Sequence, residues 1–281
     1  MRVFCFCLLC FVFVGCVEYV TEDGLFSPSH ATISTRDSIG IGQTKKTNLE
    51  LEAAPNIMLR GYRISQPNTR RSILYFGGNT SILSGIRTEL DSLSLQYNAD
   101  VFAFDWRGYG FSDGNPSLRA IMDDALKVFD FVYDSTESSP IIIGRSLGSG
   151  VATYVAAHRK PAALILISPL SNLNKVIQGW SIFHPWYERP FISIAPDDSL
   201  RNLHPQPIDI ASQITCPVLI LHGDQDKLIP ISSGRELFDS LRNSASKKFV
   251  TLSGKDHYNI DITSGVEADS IGTFINSVYK H

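Results

Sequence analysis

The stretch that decides the fold is IIIGRSLGSG, residues 141–150, which VATYVAAH follows at residues 151–158. Three branched apolar residues are typical of a short buried strand, and the alanine- and valine-rich stretch can open a helix. The order of strand, Gly-x-Ser-x-Gly turn and helix is that of a nucleophile elbow. So tight a turn forces Ser146 towards a strained backbone conformation that exposes its hydroxyl, while Gly144 and Gly148 allow strand and helix to approach. We therefore expect Ser146 to be a nucleophile.

The segments on either side of this elbow alternate between strand and helix patterns. Two alternating runs around the turn at residues 54–56 predict an antiparallel hairpin over residues 49–64. Apolar runs predict further strands at 72–76, 101–104, 141–143, 162–167, 217–221 and 247–252, and helical spacing predicts helices at 81–97, 121–132, 151–158, 232–241 and 264–279. This alternation predicts an α/β fold with a doubly wound, mostly parallel sheet.

Length and composition exclude several classes of protein. The chain has 281 residues, 43% of them hydrophobic, and a net charge of -3, which suits a single α/β domain. It lacks the basic block of a nucleic-acid-binding protein, so we expect no nucleic-acid partner. No pair of histidines or cysteines has metal-ligand spacing, and no cofactor is expected. Cys216 is the only one of the five cysteines beyond residue 16, so no disulfide framework is expected in the body of the protein.

The N-terminal residues have the composition of a targeting signal. Residues 3–14 are almost wholly apolar, which matches a signal-peptide core and is too short for a spanning helix. The segment ends FVGC at residues 13–16, which resembles the lipobox of bacterial lipoproteins, with Phe13 where leucine is usual. We therefore predict a signal peptide over residues 1–16 and lipidation of Cys16, giving a membrane-anchored lipoprotein of the bacterial cell envelope. A cleaved signal with a secreted or periplasmic soluble product stays open, as does an uncleaved anchor.

The rest of the chain divides into a linker and one domain. Residues 17–45 are polar and lack periodicity, which predicts a tether that is partly ordered at best. Residues 46–281 form the predicted domain. Within it, residues 170–213 contain five aromatic residues and five prolines without clean periodicity, which predicts a small cap insertion. Its aromatic side chains either line a pocket for an apolar group or pack the cap onto the domain.

Two loops after late strands supply a base and an acid for Ser146. His257 lies in the loop before the last helix, and the loop HGDQDKLIP at residues 222–230 offers Asp224 and Asp226. Parallel strands gather such loops at one edge of a sheet. A serine needs an adjacent base, and an aspartate fixes the imidazole tautomer and stabilises the imidazolium. The order Ser, Asp, His therefore predicts a catalytic triad, with the two aspartates as competing candidates.

An oxyanion hole is expected from two backbone N–H groups. One belongs to Leu147, the residue after the nucleophile, and the other to the loop GGNT at residues 77–80, where Asn79 is the candidate. These donors would hold the charge of the tetrahedral intermediate. The alternative is that the glycines serve only the turn from strand to helix.

These motifs resemble the α/β-hydrolase superfamily, in particular the serine-aminopeptidase-like branch that includes protein depalmitoylases and many bacterial esterases. The matching stretches are residues 76–79, 105–114, 144–148, 216–230 and 254–257. In that branch the pattern His-Gly-x-x-Asp-x-x-x-Pro carries the acid at its second aspartate, so the resemblance implies Asp226. The family commonly has histidine where this chain has Gly77. The resemblance implies the α/β-hydrolase fold with a small cap.

Together these features predict a serine hydrolase that cleaves a carboxylic ester or thioester of a small-molecule or acyl substrate through an acyl-enzyme on Ser146. Hydrolysis of an amide or peptide by the same triad, as in an aminopeptidase, stays open. The cap contains no obvious acidic cluster to bind a substrate amine, which weakly favours esters. The third hypothesis is that the protein is a non-catalytic lipoprotein with a hydrolase fold.

Overall fold

An eight-stranded sheet forms the centre of the protein in a computed structural model that describes residues 16–28 and 44–279. The described strands are β1 (Cys16–Val20), β2 (Lys45–Ala54), β3 (Ile57–Ser65), β4 (Ser72–Phe76), β5 (Asp100–Phe104), β6 (Ile141–Arg145), β7 (Ala163–Ile167), β8 (Ile192–Pro196), β9 (Val218–Gly223) and β10 (Lys247–Leu252). The described helices are α1 (Glu22–Leu25), α2 (Leu83–Tyr97), α3 (Leu118–Thr136), α4 (Leu147–His158), α5 (Leu173–Gln178), α6 (Asp198–Arg201), α7 (Pro207–Ile210), α8 (Ile231–Ser240) and α9 (Gly265–Val278).

The sheet has the order β10-β9-β7-β6-β4-β5-β3-β2. β3 pairs antiparallel with both β2 and β5, and all the other neighbours are parallel. β5 and β6 lie on opposite sides of β4, so the order of the strands reverses there. Loops that leave β4 and β6 in different directions open a crevice at such a point, where α/β proteins bind their ligands. The predicted doubly wound, mostly parallel sheet is confirmed.

Helices cover both faces of the sheet because its strands are apolar on both sides. Along β6, Ile142 belongs to the core shared with α3 and α4, whereas Ile141 and Ile143 belong to the core shared with α2 and α9. α3 illustrates how a helix is specified. The Ser117 hydroxyl accepts the Ala120 N–H at 3.3 Å, and Glu137 ends the helix in a left-handed conformation.

Asp105, which follows β5 at its carboxyl end, accepts hydrogen bonds from the main chain of two neighbouring segments. Its Oδ1 accepts the Leu83 N–H at 2.8 Å and its Oδ2 accepts the Phe111 N–H at 3.1 Å. Burial raises the pKa of Asp105 to about 6, although these two hydrogen bonds lower it in part. The folded protein therefore binds a proton at Asp105 more tightly than the unfolded chain does.

Because the pKa of Asp105 is raised in the folded protein, we expect the free energy of unfolding to fall as the pH rises. The contribution of Asp105 is fully present below about pH 4 and is lost as the pH rises through the folded pKa. One pKa unit corresponds to about 1.4 kcal/mol, so between pH 4 and 7 wild type should lose about 3 kcal/mol relative to Asp105→Asn. Urea denaturation of both proteins across that range measures the difference. A difference that does not change with pH would contradict the prediction.

The predicted linker over residues 17–45 needs correction where it is described. β1 pairs in parallel with β8 of the cap, from Cys16 beside Ile192 to Val20 beside Pro196. Leu25 and Phe26 are buried in the main core. β1 is held by main-chain pairing and leaves most of its side chains exposed, so no periodic pattern marks it in the sequence. Residues 29–43 of the predicted linker, and residues 1–15 of the predicted signal, lie outside the described residues.

The cap insertion lies between β7 and β9 and contains α5, β8, α6 and α7, with 3-10 turns at Gly179–Phe183 and Ala211–Gln213. The strand β8 is an addition to what the sequence predicts for this region. Among the residues described, no helix combines the length and the apolar character needed to cross a bilayer. The Cys16 thiol is free and exposed, and its lipidation stays a prediction.

Candidate active site

Ser146 lies at the junction of β6 and α4 in a strained conformation. Its φ of 54° and ψ of -125° lie in a region that non-glycine residues rarely adopt. The turn is tight because β4, β6 and α4 crowd together. A Cβ on Gly144 would clash with the Ala152 side chain, and one on Gly148 would overlap the carbonyl oxygen of Gly77. The glycines are therefore required by close approach, and the Ser146 hydroxyl projects into the crevice between β4 and β6, where it lines a cavity.

His257 links Ser146 to Asp226 through both ring nitrogens. Its Nε2 lies 2.8 Å from Ser146 Oγ, and its Nδ1 lies 2.8 Å from Asp226 Oδ2. Asp226 and His257 are both buried. This is the arrangement of a nucleophile, a base within hydrogen-bond reach and a carboxylate that orients the base. The structure therefore brings together the serine, the histidine and the second aspartate that the sequence predicts.

The surroundings of Asp226 keep it ionised. Its Oδ1 accepts the N–H groups of Leu228 at 3.0 Å and Ile229 at 2.8 Å. His222 Nε2 lies 3.6 Å from Asp226 Oδ2 and 2.9 Å from the Ile229 carbonyl oxygen. Burial alone would raise the pKa of Asp226, but the nearby His222 ring and the hydrogen bond from His257 outweigh it and hold the pKa well below its usual range. Because the ionised Asp226 accepts a hydrogen bond at Oδ2, it favours the His257 tautomer that carries its proton on Nδ1. The Nε2 atom of His257 is then free to accept the hydroxyl hydrogen of Ser146.

Asp224 has a different partner. Its Oδ1 accepts the Gly254 N–H at 2.8 Å, which connects the loop after β9 to the loop that carries His257. Its carboxylate is exposed and does not contact His257. The geometry thus separates the two aspartates that spacing alone leaves in competition.

The two candidate oxyanion donors lie beside Ser146. Leu147 is the first residue of α4, where an N–H has no partner within the helix. The loop after β4 passes close to the serine, since a Cβ on Gly78 would be 3.5 Å from Ser146 Cβ. Asn79 also lines the cavity at this point. Both main-chain segments are therefore in position to face a reacting carbonyl group.

The Asn79 side chain is held by the N-terminal segment. Its Nδ2 donates to the Leu25 carbonyl oxygen at 2.7 Å, and its Oδ1 accepts the Tyr109 hydroxyl at 2.8 Å. The Tyr109 hydroxyl oxygen in turn accepts the Ser27 N–H at 3.0 Å. The N-terminal segment and Tyr109 therefore hold the Asn79 side chain in place. We expect this side chain to position the loop whose backbone carries a candidate oxyanion donor.

We expect Asn79→Ala to lower kcat about 10-fold with little change in KM. The loop would lose both side-chain hydrogen bonds but keep its backbone N–H, so the loss should stay below the ~10²–10³-fold cost of removing an oxyanion donor. Steady-state kinetics on an ester substrate measures both constants. Asn243→Ala is the matched control, because it removes a 2.8 Å bond to the Ser212 carbonyl oxygen away from the cavity. A variant with unchanged kcat would exclude this positioning role.

A cavity of about 410 Å³ opens onto Ser146 and has two chemically different sides. The apolar side is formed by Leu25 and Leu147 and by residues of the cap and the neighbouring loops, namely Leu170, Leu173, Val176, Trp180, Leu228 and Ile229. The polar side is formed by Tyr75, Glu89, Arg145 and Tyr258. A substrate with one apolar part and one polar part matches this division.

The polar side is a feature that the sequence does not reveal. The Tyr75 hydroxyl donates to Glu89 Oε1 at 3.0 Å, and Arg145 Nη1 lies 3.8 Å from the same oxygen. Arg145 Nη2 also donates to the Ile260 carbonyl oxygen at 3.1 Å. Burial, followed by the nearby Glu89 carboxylate, raises the pKa of Tyr75, which therefore stays protonated as a donor. Arg145 is the variable residue inside the Gly-x-Ser-x-Gly motif, and its place next to the nucleophile is the one signal that could have drawn attention to it.

In the part of the chain that the structure describes, no group of three or more histidine, cysteine, aspartate or glutamate side chains could hold a metal ion.

Comparison with known proteins places this site in a family. A family model described as "Serine aminopeptidase, S33" matches residues 92–205. Alpha/beta hydrolase domain-containing protein 17B of Xenopus tropicalis is 30% identical over 212 residues, which cover 72% of this chain and 68% of that protein. The chain therefore belongs to the α/β-hydrolase family.

Two further similarities are informative. Lysophosphatidylserine lipase ABHD12 of Mus musculus is 33% identical over 186 residues, which cover 62% of this chain and 46% of that protein. The chain spans about half the length of the ABHD12 relatives that it matches. A crystal structure of the Pyrococcus furiosus esterase Pf2001 superposes with a TM-score of 0.70 at 17% identity, covering 94% of this chain and 98% of the esterase. The latter similarity supports the fold.

Proposed function

We propose that the protein hydrolyses acyl esters or thioesters through an acyl-enzyme on Ser146, with His257 as the base and Asp226 as the residue that orients it. The observation that carries the proposal is the unbroken hydrogen-bonded chain from Ser146 Oγ through both nitrogens of His257 to Asp226. Membership of the α/β-hydrolase family and the name of the ABHD12 relatives, lysophosphatidylserine lipase, agree with it.

In the first half-reaction Ser146 Oγ attacks the carbonyl carbon while His257 Nε2 takes the hydroxyl proton. The oxyanion of the tetrahedral intermediate accepts hydrogen bonds from the N–H groups of Leu147 and Asn79. The bond from carbon to the leaving oxygen or sulfur then breaks, and His257 returns its proton to the leaving group. A water molecule repeats these steps on the acyl-enzyme, releases the carboxylic acid and restores Ser146.

The cavity favours a substrate with a single acyl chain and a polar leaving group. The apolar side, formed largely by the cap, suits the acyl chain, and Arg145, Glu89 and Tyr75 suit a polar headgroup. Its volume of about 410 Å³ is near the lower end of the range for small-molecule sites, which favours one chain over two. The name of the ABHD12 relatives, lysophosphatidylserine lipase, points to the same class of lipid.

A substrate panel tests this proposal. We expect turnover of p-nitrophenyl esters to rise with acyl-chain length, and monoacyl phospholipids to be cleaved at least about 10-fold faster than diacyl ones. Aminoacyl p-nitroanilides presented in parallel should be poor substrates. Faster cleavage of the anilides would replace the ester proposal with an amide hydrolase, and equal cleavage of diacyl lipids would remove the single-chain proposal.

The lipid anchor on Cys16 remains our proposal for localisation. It is supported by the lipobox-like FVGC at residues 13–16 and by the exposure of Cys16. Such an anchor would hold the enzyme at a membrane surface, where acyl lipids are available.

A further inference from the structure

Exposed apolar side chains are concentrated in one part of the molecule. Among the residues described, eleven large hydrophobic side chains are exposed, and seven of them lie in β1 or in residues 182–191 of the cap. They are Val17, Tyr19, Ile182, Phe183, Trp186, Tyr187 and Phe191, which we call the docking surface. Trp186 is 78% exposed, and exposure of so large an apolar ring to water is unfavourable.

Main-chain and side-chain contacts join the two segments of the docking surface. The Cys16 N–H donates to the Phe191 carbonyl oxygen at 2.8 Å, directly where β1 begins to pair with β8. His184 lies between Glu18 and Glu188, with its Nε2 3.4 Å from a carboxylate oxygen of Glu18 and its Nδ1 3.6 Å from one of Glu188. The segment β1 and the cap are therefore attached to each other at these points.

We infer that the docking surface binds the interface of a zwitterionic lipid bilayer. The first argument is the point at which residues 1–15, which lie outside the described residues, connect to the docking surface. Residues 3–14 are almost wholly apolar, and the chain re-enters the described part at Cys16, beside Phe191. An apolar run, or a lipid on Cys16, that enters a membrane brings this surface to the same membrane.

The residue types provide the second argument. Tryptophan and tyrosine favour the membrane interface, where the ring is apolar and the polar atom stays hydrated. Beside the docking surface lie two acidic residues, Glu18 and Glu188, and two residues that can be basic, Arg189 and His184. Its surroundings therefore carry no excess of positive charge that would favour anionic lipids.

The docking surface is adjacent along the chain to residues of the cavity wall. The 3-10 turn Gly179–Phe183 carries Trp180 on the cavity wall and Phe183 on the docking surface. On the other segment, Gly24 and Leu25 line the cavity a few residues after Tyr19. Both segments of the docking surface therefore continue into residues that line the cavity. The inference itself does not depend on hydrolysis, because the docking surface includes none of the three proposed catalytic residues.

Quenching of Trp186 tests the inference on the full chain. Phosphatidylcholine vesicles with brominated acyl chains should quench part of the tryptophan fluorescence of wild type, and this part should be absent from Trp186→Phe. Trp106 is partly buried against the core, does not line the cavity that contains Ser146, and serves as the internal reference. Bound protein whose Trp186 is not quenched would overturn the inference. So would a Trp186 that is already shielded from iodide without vesicles, since the surface would then be covered by residues 1–15 or by a second copy.

A second experiment measures binding in the full chain with Cys16→Ser, which removes the proposed lipid. In that background Trp186→Ser with Tyr187→Ser should reduce the fraction that floats with phosphatidylcholine vesicles at least about threefold. Tyr133→Ser is the matched control, because it removes an exposed aromatic ring from α3 instead of the docking surface, and it should float as the parent does. Equal flotation of the double variant and its parent would overturn the inference.

Discussion

Replacement of Ser146 by alanine should lower kcat/KM for an ester substrate by at least about 10⁴-fold, because the acyl-enzyme can no longer form. His257 and the backbone donors would remain, so the residual rate should reflect binding and the oxyanion hole alone. Hydrolysis of a p-nitrophenyl ester measures the loss, and circular dichroism checks that the variant is folded.

Ser277→Ala is the control for this experiment. It also removes a serine hydroxyl, one that donates to the Phe274 carbonyl oxygen at 2.7 Å in α9, outside the cavity. Its turnover should equal that of wild type. If Ser146→Ala kept more than about one hundredth of the wild-type activity, Ser146 would not be the nucleophile, and the fold would have to work through another group.

Asp226→Asn should have the second-largest effect, a fall in kcat of about 10⁴-fold. The N–H groups of Leu228 and Ile229 bind Oδ1 and would hold the amide oxygen of the variant in that place. The amide nitrogen would then face His257 Nδ1 and donate a hydrogen bond to it, so Nδ1 would have to be unprotonated. His257 would be left with its own proton on Nε2, where it cannot accept the one from Ser146.

Asp224→Asn provides the matched comparison two residues away. Its amide oxygen can still accept the Gly254 N–H, so kcat should change less than about threefold. Steady-state kinetics of both variants at several pH values measures the contrast. Because the pKa of Asp226 lies well below its usual range, the acid limb of the wild-type profile should come from another group. The opposite ranking of the two variants would exchange the roles of the aspartates.

The sheet could be predicted from the sequence because its strands are buried on both faces. Continuous apolar runs such as residues 141–143 and 217–221 are typical of parallel strands, and β6 and β9 lie there. The elbow follows from glycines whose replacement would cause clashes. Local chemistry thus determined the main elements, and the alternation of strand and helix indicated a mostly parallel sheet; the order of the strands comes from the structure.

The N-terminal segment and β8 could not be predicted in this way. Cys16 pairs with Ile192, which lies 176 residues further along the chain, and the pairing depends on main-chain hydrogen bonds to β1, whose side chains are mostly exposed. Such strands have no hydrophobic period to detect. The choice between Asp224 and Asp226 is likewise a matter of loop geometry. Residue spacing left both open, and only the resemblance to known hydrolases favoured the second.

The most direct test of the account is to locate the covalent adduct of a fluorophosphonate. Incubation of the full chain should add one phosphonyl group, and mass spectrometry of the digested protein should place it on the peptide that contains Ser146. The adduct should be absent from Ser146→Ala and form at least about 100-fold more slowly with His257→Ala. An adduct on another residue, or equal labelling of wild type and Ser146→Ala, would contradict the central claim.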